Sequence, residues 1–113
     1  MGMTENERRK AVNEAMFREV NERIETLQHA FAVAERLPLN IVCECDRLDC
    51  SGRLSVAPDT YERIRADSAL FFVRAGHEDD SVEDVVDTGS DYLVVRKRPG
   101  DPQEIAEQTD PRS

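Results

Sequence analysis

The chain has 113 residues, 39% of them hydrophobic and 35% charged, with a formal net charge of -9 and a pI near 4.7. That length holds one domain with a single small core, and the acidic excess excludes nucleic acid and anionic membrane surfaces as default partners, because no basic stripe is available to displace phosphate counterions. The opening MGMTENERRK lacks the apolar stretch that would follow the basic residues of a secretory signal, and no run approaches membrane-spanning length, so the chain reads as cytoplasmic.

From Thr4 to about Arg36 there is no Pro or Gly, and Glu, Arg, Ala and Gln dominate, which predicts one long helix closed by Pro38. Within it Phe17, Val20, Ile24, Leu27, Phe31 and Ala34 recur at spacings of three and four, widened by Val12 and Met16, so one apolar stripe runs along the helix. The simplest use of that stripe is to pack on the domain's own sheet. A helix of about 30 residues is about 45 Å long, more than so small a domain is wide, so its N-terminal part has a second use, as a contact for a second copy or a protein partner.

LNIVCEC then reads as a strand, and RLSV as a short strand with Leu54 and Val56 on one face. APDTYERIRAD is a short helix with Pro58 at its first position, Asp59 in its first turn, and Tyr61 and Ile64 on its buried edge. ALFFVRA is a strand, placed centrally by its uninterrupted apolar character, and GHEDD the loop after it. VEDVVDTGSDYLVVRKR supplies two strands around Gly89, and Pro99, Gly100 and Pro102 end the fold. DPQEIAEQTDPRS is a polar tail with at most one helical turn, around Ile105. The fold class is α+β, a long N-terminal helix packed on a small antiparallel or mixed sheet with one short inserted helix. Residues 1–15 form a polar extension of the first helix, 16–98 the domain proper, and 99–113 a flexible tail.

All three cysteines fall within NIVCECDRLDCSG, residues 40–52. In a reducing compartment such a cluster binds metal or does redox chemistry more readily than it forms a structural disulfide. Cys43 and Cys45 are two apart, so on an extended strand both thiols project from one face. The DRLD loop returns Cys50 toward them, with Gly52 giving the backbone freedom to turn. Three thiolates make three corners of a tetrahedron, and zinc is the metal that takes Cys and His in such sites. Of the two histidines, His29 lies on the helix face opposite the apolar stripe. His77 follows the predicted central strand, where Gly76 lets the backbone approach closely. The predicted zinc ligands are therefore Cys43, Cys45, Cys50 and His77, with Asp46, Asp49, Glu78 or a water as alternatives for the fourth corner. The spacing C-x-C-x4-C, with 26 residues before the histidine, is not a common finger pattern.

The combination of FREVNERIETL, CECDRLDC, TYERIRAD, FFVRAGHE, YLVVRK and EQTDPR resembles a family of small uncharacterised bacterial proteins, often actinobacterial, over most of residues 16–112. That resemblance implies the same ligand set, since the family pattern C-E-C-x4-C followed by G-H-E matches Cys43, Cys45, Cys50 and His77. SG after Cys50 departs from the Thr and Glu found in related chains.

Catalytic signals are weak. No serine sits in a nucleophile context, and no phosphate-binding glycine loop is present. A closed Cys3His zinc is a staple, which suits a core of roughly 80 residues. The expected function is a structural zinc-binding module for protein interaction or regulation. A thiol-based redox or zinc sensor is the first alternative, and an open-site zinc hydrolase, requiring a water at the fourth corner, the second.

Overall fold

In a computed structural model, residues 4–31, 37–47 and 49–112 are described, the side chains of 29–31 excepted. Helix α1 spans Glu5–Phe31 and opens on a capping box: the Glu7 N–H donates to the Thr4 hydroxyl oxygen at 3.1 Å, and the Thr4 N–H to the Glu7 carboxylate at 2.9 Å. Strands β1 (Leu39–Val42) and β2 (Arg53–Val56) form an antiparallel hairpin with Ile41 opposite Leu54. Helix α2 (Pro58–Arg65) begins with Pro58, where the missing N–H costs nothing, and ends on Arg63 and Arg65, which complement its dipole.

Strands β3 (Leu70–Val73), β4 (Glu83–Thr88) and β5 (Leu93–Lys97) form a second antiparallel sheet in the order β3, β5, β4. The central strand is thus β5 rather than the ALFFVRA strand. The outer edge of β3 instead meets the cysteine segment, through a bond from the Glu44 N–H to the Phe72 carbonyl at 2.7 Å. No helix among the described residues is long and apolar enough to cross a membrane.

Strand β3 is buried on both faces, which is why it carries four apolar residues in a row. On one face Leu70, Phe72 and Val94 pack with Leu39, Ile41, Leu54 and Val56 of the hairpin and with Tyr61 and Ile64 of α2. Tyr61 stacks on Phe72, which meets Tyr92 edge-on. On the other face Phe71, Val73 and Val95 pack with Cys43, Cys45 and Ala106. Ala106 belongs to helix α3 (Asp101–Gln108), eight residues where at most one turn was expected. Arg18 accounts for its docking, as its guanidinium donates to the Ala106 carbonyl at 2.7 Å, to Thr109 Oγ1 at 3.1 Å and to the Ser68 carbonyl at 2.6 Å.

The seating of α1 departs from the apolar-stripe expectation. Its buried residues are Glu14, Arg18 and Asn21, whereas Val12, Met16, Val20 and Leu27 are exposed. Phe17 and Ile24 are half-buried, and Ile24 packs on the hairpin cluster. Ala34 and the side chains of Phe31 and His29 lie outside the described residues. The reason lies in what α1 faces. Its inner side meets the Phe71 ring, the Lys97 ammonium and the Val42 backbone. Arg18 lies over Phe71 at 4.3 Å from the ring centroid, and Lys97 at 4.9 Å. Lys97 also bonds two carboxylates, Glu14 at 2.8 Å and Glu83 at 2.6 Å.

Two buried acids sharing one lysine cannot both be fully compensated. Burial pushes the Glu14 carboxyl up to about 7, against the pull of Lys97. Between its ordinary value and about pH 7 the folded chain holds a proton there that the unfolded chain releases, so this site's contribution to stability falls as pH rises through that window. In Glu14→Gln that dependence is expected to vanish. The stability difference between parent and variant, from urea unfolding, should change by on the order of 1–3 kcal/mol between about pH 5 and pH 7. Parallel curves would mean that Glu14 is ionised in the folded state throughout.

Candidate metal centre

Cys43 and Cys45 extend β1 past its last paired residue. The Cys43 N–H still donates to the Gly52 carbonyl at 3.1 Å, continuing the hairpin ladder, while Glu44 pairs with β3. Held on both sides, this stretch keeps the alternation of a strand: Cys43 and Cys45 turn to one face and Glu44 to the other. The loop then folds back through a turn closed by the Cys50 N–H on the Arg47 carbonyl at 3.0 Å.

His77 arrives by a different turn. Its N–H donates to the Arg74 carbonyl at 2.9 Å, with Gly76 at φ 93° in the third position, the arrangement of a type II turn that requires glycine there. A Cβ on Gly76 would touch nothing within 4 Å. Gly52 has no such φ, but a Cβ there would meet Arg74 Cδ at 2.5 Å. The two glycines therefore exchange their expected roles: Gly76 permits the turn and Gly52 the close approach.

These turns gather Cys43, Cys45, Cys50 and His77 so that one ligand atom from each lies within 4.8 Å of all the others. His77 Nδ1 is 3.4 Å from Cys50 Sγ and 3.7 Å from Cys43 Sγ. A tetrahedral zinc with sulfur at about 2.3 Å and imidazole nitrogen at about 2.05 Å sets N and S about 3.5 Å apart, so these two distances match the edges of such a site. The three cysteines are free thiols. Asp46, Asp49 and Glu78 are outside the group: Asp46 pairs with Lys10 at 3.5 Å, and Glu78 accepts the Gly76 N–H at 2.7 Å.

Backbone donors face two of the sulfurs. The Arg74 N–H donates to Cys43 Sγ at 3.2 Å and the Gly52 N–H to Cys50 Sγ at 3.4 Å. Crowding splits the acidities: a hydrogen bond from the Cys43 thiol is the main reason that Cys45 is pushed down, to about 5, while Cys43, giving that bond and buried, is pushed up. Three sulfurs and one imidazole nitrogen so close together share protons or share a cation.

Behind the sulfurs stands a group that was not foreseen. Glu44 is fully buried; one of its oxygens accepts from Arg65 and from Asn21 Nδ2 at 2.7 Å, and the other takes the Phe72 N–H at 2.9 Å. Asn21 also pairs with Val42 like a strand, receiving its N–H at 2.7 Å and donating to its carbonyl at 2.8 Å. The pattern held a signal for this: a residue between two cysteines of one face must point into the opposite core, and Arg65 shares the edge of α2 occupied by Tyr61 and Ile64. Compared with family models, curated proteins and solved structures, the chain matches none.

Glu44→Gln keeps the shape and removes the charge facing Arg65. Leaving a buried guanidinium uncompensated is expected to cost about 3–5 kcal/mol, and pairing Glu44→Met with Arg65→Met to recover most of it. Urea denaturation at constant zinc measures both, and a loss near zero for the single variant would mean that the pair adds nothing.

Proposed function

We propose that the protein binds one zinc ion through Cys43, Cys45, Cys50 and His77, that this zinc is structural, and that the chain works by contact with another protein molecule rather than by catalysis. The observation that supports the zinc most directly is the convergence of four ligand atoms within 4.8 Å, with nitrogen-to-sulfur distances matching a tetrahedron's edge. Closure follows from the donor count, since with His77 at the fourth corner no position is left for a water or substrate, as a hydrolase would need. The ion would tie the end of β1, the loop after it and the turn after β3 into one unit. Reduced thiols at such a site suit a cytoplasmic setting.

A second reading has its own support. Cys43 and Cys45 are buried but Cys50 is half-exposed, so an oxidant has one thiol to approach. Hydrogen peroxide would take two electrons from Cys50 and a neighbouring thiolate, leaving a disulfide and two hydroxide ions and releasing zinc, which would make the site a sensor.

Protein purified without a histidine tag or added metal is expected to carry about one zinc per chain by elemental mass spectrometry, with thiols that react only after chelation. His77→Ala should weaken zinc binding by about tenfold or more and lower the melting temperature. Metal-free protein that melts where the purified protein does would overturn the staple, and peroxide-driven zinc release at unchanged total thiol would overturn the sensor.

A further inference from the structure

The solvent face of α1 is unusually apolar for a chain this acidic. Val12 is 62% exposed, Met16 43%, Val20 39% and Leu27 59%. At about 100° per residue these four fall within an arc of about 80°, and they run for about 22 Å along the axis. The opposite side of the helix is committed to Glu14, Arg18 and Asn21, so rotation of α1 cannot bury the stripe without stranding those groups. From the geometry we infer that this stripe is the contact between two copies of the chain, laid antiparallel across a two-fold axis beside Val20. The inference rests on the reading of α1 as the contact element, and it identifies the partner.

Two features select a second copy as the occupant. The first is the charge of the helix. α1 carries six acids and five bases, against -9 for the whole chain, so the surplus that would drive two copies apart lies on the other elements. The second is the placement of Glu19 and Arg23, which are exposed and interrupt the stripe. Centring an antiparallel pair on the stripe sets Val12 against Leu27 and Met16 against Arg23, with the two Val20 side chains meeting next to the axis. Arg23 then covers Met16 with its aliphatic stem and ends one helical turn from Glu19 of the second copy. The two-fold repeats that ion pair, so each charge interrupting the stripe faces its opposite. The helix-on-helix strip buries on the order of 1,000 Å², the lower edge for a specific interface, which implies reversible, micromolar association.

Sedimentation velocity on the full-length, zinc-replete protein tests this. The mass is expected to rise from 12.8 kDa toward twice that value across the micromolar range. Val20→Glu sets two like charges beside the axis and should leave a monomer at every concentration. Glu19→Arg and Arg23→Glu should each weaken association about tenfold, and the double variant should restore it, a recovery that a misfolded chain would not give. All three substitutions are at exposed positions, and unchanged circular dichroism would show that the four variants fold. A parent that stays at 12.8 kDa, or a dimer indifferent to Val20→Glu, overturns the inference. Zinc measured on the same samples separates the failures: a zinc-bound monomer sinks self-association alone, and a metal-free dimer sinks the zinc reading alone.

Discussion

The buried carboxylate of Glu44 organises the junction on which the metal centre stands. It receives donors from α1, α2 and β3 at once, through Asn21, Arg65 and the Phe72 N–H, and it does so from the residue between two cysteines. Each bond constrains the strand that presents Cys43 and Cys45. A carboxylate that far from water is tolerated only because a guanidinium and two further donors replace its hydration. The sulfurs are aimed by a residue on the other side of the sheet, one that touches none of them.

The same economy of polar contacts seats α1. A helix of this length would ordinarily dock by an apolar face, yet here Arg18, Asn21 and Glu14 face inward, each with specific partners. Arg18 is held mainly by neutral groups. Three oxygen acceptors and the Phe71 ring surround its guanidinium, and among the described residues its Nε, like that of Arg65, has no hydrogen-bond partner. Such an interface is directional. Sliding α1 by one turn, about 5.4 Å, would take Arg18 and Asn21 from their acceptors and Glu14 from Lys97 together, whereas an apolar face would slide at small cost. Polar burial adds less to stability than hydrocarbon would, but it admits a single register.

What could be read from the residues divides along the range of the forces involved. The period-two spacing of Cys43 and Cys45 and the turn residues around Cys50 and His77 are local, and local geometry leads to the gathered ligands. The hairpin of β4 and β5 around Gly89 was legible for the same reason. The buried face of α1 was not, because periodicity reports that Val12, Met16, Val20 and Leu27 share a side without saying whether anything in the chain covers it. Glu14 and Arg18 look like solvated helix residues until Lys97 and Ala106, more than eighty positions away, come into view. Helix α3 escaped notice similarly, since its composition is that of a polar tail and its docking depends on Arg18. The roles of Gly52 and Gly76 were exchanged because one glycine answers to its own dihedral and the other to the Arg74 side chain above it.

The distance in sequence between α1 and its anchors bears on how the chain matures. Glu14 waits for Lys97, Arg18 for Ala106, and Glu22 for Arg112, which grips it at 2.6 Å. At about 5–20 residues per second of synthesis, several seconds pass between the appearance of the helix and that of its last anchor. Asn21 can meet Val42 and Glu44 early in that interval, but Glu14, Arg18 and Glu22 gain these partners only at its end. Until then the charged face of the helix lacks its distant partners while the apolar face lies open beside it, so the register of α1 is fixed only when the C-terminal anchors arrive.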